Sequence, residues 1–410
     1  MHLIRRNFVS LGMARGRNQS PEVVSDYLAS LDWVYWKDDG RIREGVRLDD
    51  MNAFRVYCDT GLRVGKKALE SFISQQIVPR FAKPLDGIVL RKRPLYATIG
   101  GRSGLWYLER DGNGQQKLCF VPAGAKPGTI EVFENEENWP DGVYYHRRRS
   151  KALSPPDPSG TIADLAKFWA EVAFVSALGW ETTLAMFLPA FWWQGVAAFI
   201  LTGKYGSEQE EMISYSHISI AGDRSPYYVG KKPYDLLVVY WWNDLVFIST
   251  FNRRLVPKLT HIVKAAVSGE TIEDRLSPRS KLRSFTLYGP VFICSAEAAV
   301  PEEMARVCLE VPTLPVRARF PFTGMIEPGR KAMNGAFQLF QLASRLPEPM
   351  HVLERYPAFP YRQWLSWAYR YAELLGVTDK LLSAVEKFGQ VPKGIRLYKA
   401  RRGREKSLGR

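Results

Sequence analysis

Helical patterns and short apolar runs alternate along residues 162–311, and this alternation limits the folds that the chain can adopt. The runs at 196–201 and 235–242 are almost free of polar residues. Such runs are typical of parallel strands whose two faces are both covered by helices. Two further strands are expected at 289–294 and 307–311. The alternation therefore predicts an α/β protein with a three-layer core around a parallel sheet.

The rest of the chain differs from this core in its local pattern. Helical patterns precede residue 95, and short strands separated by Gly, Asn and Asp follow it. The N-terminal helices are expected at 20–31, 49–57 and 66–77. A proline-rich stretch at 155–160 separates the strands from the core. The expected divisions are a helical N-terminal domain with a basic arm over 1–95, a small β-rich segment over 96–154, the α/β core over 155–325, a C-terminal helical segment over 326–392 and a basic tail over 393–410.

The chain carries a large excess of positive charge. It has 57 Lys and Arg against 42 Asp and Glu, which gives a net charge of +15. This balance is expected of a protein that meets phosphate backbones or anionic membranes. Both ends and a run before the proline-rich stretch are basic, which predicts contacts with DNA or RNA; the alternative is that they are solvated surface. The candidate contacts in these segments are Arg147, Arg148, Arg149, Lys399, Arg401, Arg402 and Arg404.

Several other classes of protein are disfavoured. The four cysteines and five histidines are scattered, so neither a disulfide framework nor a metal site is expected. The basic N-terminus is not followed by the apolar core of a signal peptide, which favours a cytoplasmic protein. Residues 182–203 carry no formal charge over a length that could span a bilayer. Pro189 and Gly195 interrupt them, so a helix followed by a buried strand is the preferred interpretation.

The segment after the first apolar run has the frame of a phosphate-binding loop but different chemistry. Such a loop has the form G-x-x-x-x-G-K-[ST], in which glycines expose backbone N–H groups, the lysine neutralises phosphate and the hydroxyl binds magnesium. Here Glu208, Gln209 and Glu210 stand at the last three of those positions, and another acid follows. Like charges repel a triphosphate, so catalytic nucleotide binding is disfavoured. The alternative is an ordinary turn. The residues of this loop remnant are Gly203, Lys204, Gly206, Ser207 and Gln209.

Residues 96–388 resemble phage- and plasmid-encoded AAA+ ATPases related to superfamily 3 helicases and to the helicase half of poxvirus-type primase-helicases. The order of the features carries the resemblance. They are the β-rich segment, the proline-rich link, a helix ending in Leu178-Gly179-Trp180, the strand and loop at 196–211, the second apolar strand, the segment 266–271 before a basic hairpin, the strand at 288–295, the arginine and strand at 304–312, and helices around 364–375. The resemblance implies an AAA+-like core with a C-terminal helical lid.

The resemblance also implies that the metal site is lost. In the family, the second strand ends with an acid that holds magnesium or polarises water. The matching position here is Trp242, with Asn243 and Asp244 displaced by one and two residues. Tryptophan has no oxygen ligand to offer a hard cation. We therefore expect no catalytic residue, metal or cofactor. The alternative is that Asp244 compensates, in an active DNA-dependent ATPase or helicase that uses ATP and Mg.

Two further elements take their expected roles from the resemblance. Arg306 corresponds to the arginine that reaches a neighbouring subunit's nucleotide; the alternative is an ordinary surface arginine. The family grips DNA with its basic hairpin, and phosphate contacts of this kind bind without reading sequence. The partners implied are DNA or RNA and further subunits, of the same or another chain, such as an active ATPase or a replication protein, with no membrane. The hairpin cations are Arg275, Arg279, Lys281 and Arg283.

Overall fold

A computed structural model describes most of the chain beyond residue 92. The described residues are four short strands before residue 91 together with 93–110, 116–135, 138–140, 142–145, 152–193, 195–204, 206–222, 246–248, 256–268, 272–274, 283–285, 289–294, 300–315, 324–393, 395 and 397.

The described part of the N-terminal region consists of strands. They are β1 (Trp33–Trp36), β2 (Arg41–Glu44), β3 (Lys83–Pro84) and β4 (Ile88–Leu90). β1 pairs antiparallel with β2 and parallel with β3. The aromatic and β-branched sequence WVYW of β1 favours a strand. The helices predicted at 20–31, 49–57 and 66–77 lie outside the described residues, so the helical N-terminal domain stays a prediction.

The β-rich segment is an antiparallel sheet. It is formed by β5 (Leu95–Ile99), β6 (Arg102–Arg110), β7 (Gln116–Pro122) and β8 (Glu131–Phe133), in the order β5-β6-β7-β8. Gly100 and Gly101 join β5 to β6 with positive φ angles of 55° and 75°, which suits a two-residue hairpin. β9 (Val143–Tyr145) pairs in parallel with β4.

Two helices follow the proline-rich stretch. In α1 (Ile162–Val172), Thr161 and Asp164 form a capping box. In α2 (Trp180–Trp192), every residue from 182 to 192 is buried. The uncharged stretch at 182–203 is thus a core helix followed by a strand, and the helix continues three residues past Pro189. Of the helices that the structure describes, none combines the length and the apolar composition needed to cross a membrane.

The core contains a four-stranded parallel sheet. After α2 the chain forms β10 (Ala198–Thr202), α3 (Gly206–Ser216), α4 (Ile218–Ala221), β11 (Val246–Ile248), α5 (Val256–Val267), β12 (Ile272–Asp274), β13 (Arg283–Phe285), β14 (Val291–Cys294), α6 (Glu302–Ala305) and β15 (Leu309–Pro312). The strand order is β11-β14-β10-β15, and all three neighbouring pairs are parallel. The mixed α/β class is therefore confirmed. The apolar run predicted as a strand at 235–242 lies outside the described residues, and β11 was not predicted.

The two faces of this sheet pack against different helices. Phe199 and Phe292 stack with ring centroids 5.2 Å apart, and the edge of Phe187 from α2 contacts both rings. On the other face, Ile200 and Ile293 belong to a cluster with residues of α5 and α6. Helices on both faces explain why β10 and β14 are buried along their whole length.

The C-terminal segment is helical and packs on the core. It consists of α7 (Ile326–Ala343), α8 (Met350–Arg355), α9 (Arg362–Leu374) and α10 (Thr378–Glu386). α7 lies across α1, and a Cβ atom on Gly335 would lie 2.2 Å from the carbonyl oxygen of Thr161. α9 packs against α2, where Trp364 Nε1 donates a hydrogen bond to the Met186 carbonyl at 2.9 Å.

Candidate functional site

The loop remnant joins β10 to α3 at the carboxyl edge of the sheet. β10 ends at Thr202, Gly203 and Lys204 are exposed, and α3 begins at Gly206, with Ser207 as its second residue. A strand, a short loop and a helix thus follow one another as the sequence pattern requires. In open α/β sheets, ligands bind in the crevice outside the carboxyl ends of the strands. The side chains at these ends therefore decide what the site can hold.

Gln209 bridges the ends of two strands, β14 and β15. Its side chain is fully buried. Nε2 donates a hydrogen bond to Thr313 Oγ1 at 2.9 Å, just beyond β15. Oε1 accepts one from Cys294 Sγ at 2.6 Å, at the end of β14. The side chain at the position of the phosphate-binding lysine is therefore a neutral amide that is hydrogen-bonded inside the protein.

Thr313 follows β15 and is hydrogen-bonded to Thr202 at the end of β10. Its hydroxyl donates to the Thr202 carbonyl at 2.9 Å, and its backbone N–H donates to the same oxygen at 2.6 Å. A Cβ atom on Gly203 would lie 2.0 Å from Thr313 Oγ1. Gly203 is thus needed for the close approach of Thr313. Thr202 Oγ1 in turn donates to Glu310 Oε1 at 2.8 Å. We call these hydrogen-bonded residues the strand-end network: Thr202, Gln209, Cys294, Glu310 and Thr313.

A carboxylate from the chain occupies the first turn of α3. Glu208 is only 7% exposed. Helix N-termini attract anions because their first N–H groups point outward and the helix dipole is positive there. Glu208 supplies a carboxylate from within the chain, and Glu210 and Glu211, which follow it in α3, are partly buried. The local charge therefore disfavours a phosphate.

Sequence reasoning identified Gln209 but missed Thr313 and Cys294. Thr313 lies 104 residues from Gln209 in sequence, and Cys294 lies 85 residues away. Neither Thr313 nor Cys294 shares a sequence motif with Gln209. The only available signal was that Cys294 and Pro312 end two strands of one parallel sheet, since parallel strands bring their carboxyl ends to the same edge.

The proposed metal-site remnant is not described. Trp242, Asn243 and Asp244 lie outside the described residues, so their roles stay predictions. β14 pairs with β10 on one side and with β11 on the other. β11 begins two residues after Asp244, and its Ile248 lies opposite Ile293. The next residues in the sequence are Ser249 and Thr250. The sequence therefore offers hydroxyl side chains and no carboxylate at the first two positions after Ile248.

Arg306 is engaged within its own chain. It follows α6, and Nη2 forms an ion pair with Glu302 at 2.7 Å. Nη1 donates to the Gly389 carbonyl at 2.9 Å, beyond α10. The side chain remains 52% exposed. Reaching a neighbouring subunit would require Arg306 to leave these contacts, and its role as an arginine finger stays a prediction.

The arms of the predicted basic hairpin pair with each other. β12 and β13 are antiparallel, with Asp274 opposite Arg283. The eight residues 275–282 therefore join two adjacent strands. The other predicted cations lie outside the described residues, so their contacts stay predictions; they are Arg147, Arg148, Arg149, Arg275, Arg279, Lys281, Lys399, Arg401, Arg402 and Arg404.

The described cysteines and acids offer no other evident reaction centre. Burial raises the pKa of the Cys308 thiol, and burial together with the nearby Glu109 raises that of Cys119. These thiols stay protonated at neutral pH and are poor nucleophiles. Burial also raises the pKa of Glu109. Within the described ranges, no group of three or more His, Cys, Asp or Glu side chains could hold a metal ion.

Comparison with known proteins gives little further information. No protein-family profile and no curated protein matches the chain. One solved structure, described as the A form apo structure of the NrS-1 C terminal region, is similar over 56% of this chain and 65% of its own, with 8% identity and a TM-score of 0.29. A second structure of that region covers 68% of this chain and 88% of its own, with 9% identity and a TM-score of 0.26. At these TM-scores, neither structure carries an argument about this chain.

Proposed function

We propose that the protein is a nucleic-acid-binding, catalytically degenerate AAA+ helicase-like subunit. It acts as a scaffold, loader or clamp in a replication or defence complex of a mobile element. The observation that carries this proposal is the buried Gln209 amide, which is hydrogen-bonded to the ends of β14 and β15 where a phosphate-binding lysine is required. The chain would keep the fold of an ATPase and contribute binding without hydrolysis.

Binding a triphosphate at this loop would require several unfavourable changes. Displacing Gln209 would leave a buried amide without its partners, which costs about 1–3 kcal/mol. The Thr313 hydroxyl lies directly against Gly203. Glu208 would face the added phosphates at short range, where like charges repel. The position at which the family carries its phosphate-binding lysine holds Gln209, and the next position, where the family carries a hydroxyl for magnesium, holds Glu210.

The AAA+-like part of the proposal is supported by the arrangement of the core. The strand, loop and helix of β10 and α3 lie at the carboxyl edge of a parallel sheet. Helices pack on both faces of this sheet, and four C-terminal helices follow it. These features accord with the sequence resemblance stated above, and the family assignment remains part of the proposal.

The nucleic-acid part is supported by charge. The net charge is +15, and residues 275–282, which join β12 to β13, bring three cations to one short connection. Contacts of this kind neutralise phosphates and release counterions. Because one subunit presents few such contacts, we propose that the chain assembles with itself or with an active ATPase to form a larger binding surface.

The experiment that tests the proposal measures two activities on one sample. Single-stranded DNA, duplex DNA and RNA are titrated at 50 and 200 mM salt, and ATP turnover is followed with and without the nucleic acid. We expect affinity to fall about tenfold or more between the two salt concentrations, with no turnover above background. Salt-independent binding, or none at 50 mM, would overturn the proposed function. Nucleic-acid-stimulated turnover would favour the alternative, an active ATPase that uses ATP and Mg.

A further inference from the structure

The strand-end network is continuous with the contacts that hold the C-terminal helices. The segment before β15 makes two hydrogen bonds with that helical region, accepting one and donating the other. Tyr361 Oη donates to the Val307 carbonyl at 2.6 Å, and Arg306 donates to the Gly389 carbonyl at 2.9 Å. α10 also packs directly against β15. These contacts link the position of β15 to Tyr361, which precedes α9, and to Gly389, which follows α10.

At its other end, β15 is joined to β10 by strand pairing and to α3 by the hydrogen bond between Thr313 and Gln209. Thr313 accepts from Gln209 and donates to Thr202, so its one proton and one of its lone pairs are both used. Rotating the Gln209 amide by 180° would place Nε2 against Cys294 Sγ and Oε1 against the Thr313 hydroxyl. In the observed orientation, Thr313 donates its proton to the Thr202 carbonyl and Cys294 donates its proton to Gln209. The contact of Gln209 with Thr313 and Cys294 therefore depends on the orientation of the amide, and a substitution of Gln209 removes it.

We infer that Gln209 is an internal latch that couples the loop and α3, through Thr313 and β15, to the C-terminal helices. This inference rests on the proposed function, in which the loop binds no nucleotide. The Gln209 contact takes the place of a ligand in fixing the strand ends. The loop and the C-terminal helices then open as one unit, and the chain holds one arrangement of both whether or not ATP is present.

The coupling follows from burial and geometry. Gln209 is fully buried and Cys294 is 1% exposed, so water does not replace either hydrogen bond. Opening of α3 breaks the hydrogen bond between Gln209 and Thr313, and Thr313 then keeps only its two bonds to the Thr202 carbonyl. Local opening free energies spread through such contacts, and hydrogen exchange reports them segment by segment.

The test is hydrogen exchange on the full chain with shape-conserving variants. Gln209→Met removes both hydrogen bonds at similar volume, and Thr313→Val removes the hydroxyl. The matched control is Gln341→Met, because Gln341 is also fully buried and also makes two hydrogen bonds, with Gly128 and Thr129. It lies on α7, outside the network.

In either network variant, we expect exchange to become roughly two- to tenfold faster in 206–216 and also in 306–313 and 361–389, which corresponds to the net free energy of a hydrogen bond. The control is expected to accelerate exchange around 123–130 instead. Acceleration confined to 206–216, or none with both variants folded, would overturn the latch. Adding Mg-ATP to the unsubstituted chain separates the two proposals. Protection of 203–216 by ATP means that the proposed function fails, whereas a failed latch without such protection leaves the proposed function standing.

Discussion

At the scale of single residues, the loop is defined by close contacts that its sequence motif does not contain. The residues at 208–210 depart from the phosphate-binding pattern and were visible in the sequence. They could not indicate where the new side chains lie. Gln209 turns inward because Thr313 and Cys294 provide one acceptor and one donor at matching distances. Both partners come from distant strands, so no local pattern reveals them.

A substitution at Gly203 tests whether Thr313 lies as close to this residue as the structure shows. Gly203→Ala is expected to destabilise the protein by about 1–3 kcal/mol, because the new Cβ atom would lie 2.0 Å from Thr313 Oγ1. Thr313→Ala, which removes the opposing hydroxyl, is expected to recover part of that loss in the double variant. Urea unfolding of the two single variants and the double variant gives the coupling between the sites. Strictly additive losses would contradict the contact.

At the scale of elements, the segments with the clearest hydrophobic pattern were the ones whose secondary structure was predicted best. The buried strand β10 and the C-terminal helices were predicted because apolar runs and helical spacing are distinct there. β11 was missed because it follows Asn243 and Asp244, which favour turns. The strands β1 and β2 were missed because helical patterns on both sides of them dominated the N-terminal assignment.

The N-terminus of α1 gives a pH-dependent prediction. Thr161 donates its hydroxyl and its backbone N–H to Asp164, and these bonds lower the pKa of that carboxyl. A lowered folded-state pKa stabilises the protein above the unfolded value near 4, and this contribution is lost as the pH falls. Thr161→Ala is therefore expected to cost about 1 kcal/mol at pH 7 and less at pH 3.

Thermal unfolding at both pH values checks this prediction. The control is Asp164→Ala, alone and combined with Thr161→Ala. Without the titrating carboxyl, the cost of removing the Thr161 hydroxyl is expected to be the same at pH 7 and pH 3. A cost that does not change with pH when Asp164 is present would show that the cap is not coupled to this carboxyl.

The hairpin between β12 and β13 gives a second prediction at this scale. Arg279→Glu combined with Lys281→Glu is expected to weaken nucleic-acid binding at least tenfold, because several phosphate contacts would become repulsive. The control pair, Lys167→Glu with Lys380→Glu, changes the net charge equally at two exposed helical positions. Gel shift at 50 mM salt compares them. Equal losses in both variants would mean that only total charge matters.

At the scale of the whole molecule, charge and core packing serve different purposes. The aromatic residues largely build the interior: Trp106, Trp169 and Trp364 are fully buried, as the preference of large rings for cores suggests. The cations concentrate at the ends of the sequence. Composition therefore supports the proposed contact with phosphate backbones, which depends on charge and not on the packing of the core.

The basic tail can be tested by itself. Replacing the eight Lys and Arg of residues 393–410 by Gln keeps the length and removes most of the local charge. Affinity is expected to fall for all nucleic-acid sequences alike, and the salt dependence is expected to become less steep, because fewer counterions are released. Binding isotherms on two unrelated sequences measure both effects. A loss limited to one sequence would indicate base recognition instead.

The central claim is that the loop at Gly203 is filled by the chain itself, and calorimetric titration of the unsubstituted protein with Mg-ATP tests it most directly. The account predicts no saturable binding up to millimolar nucleotide, because Gln209 and Thr313 occupy the strand ends and Glu208 repels phosphate. Saturable binding with micromolar affinity would contradict it.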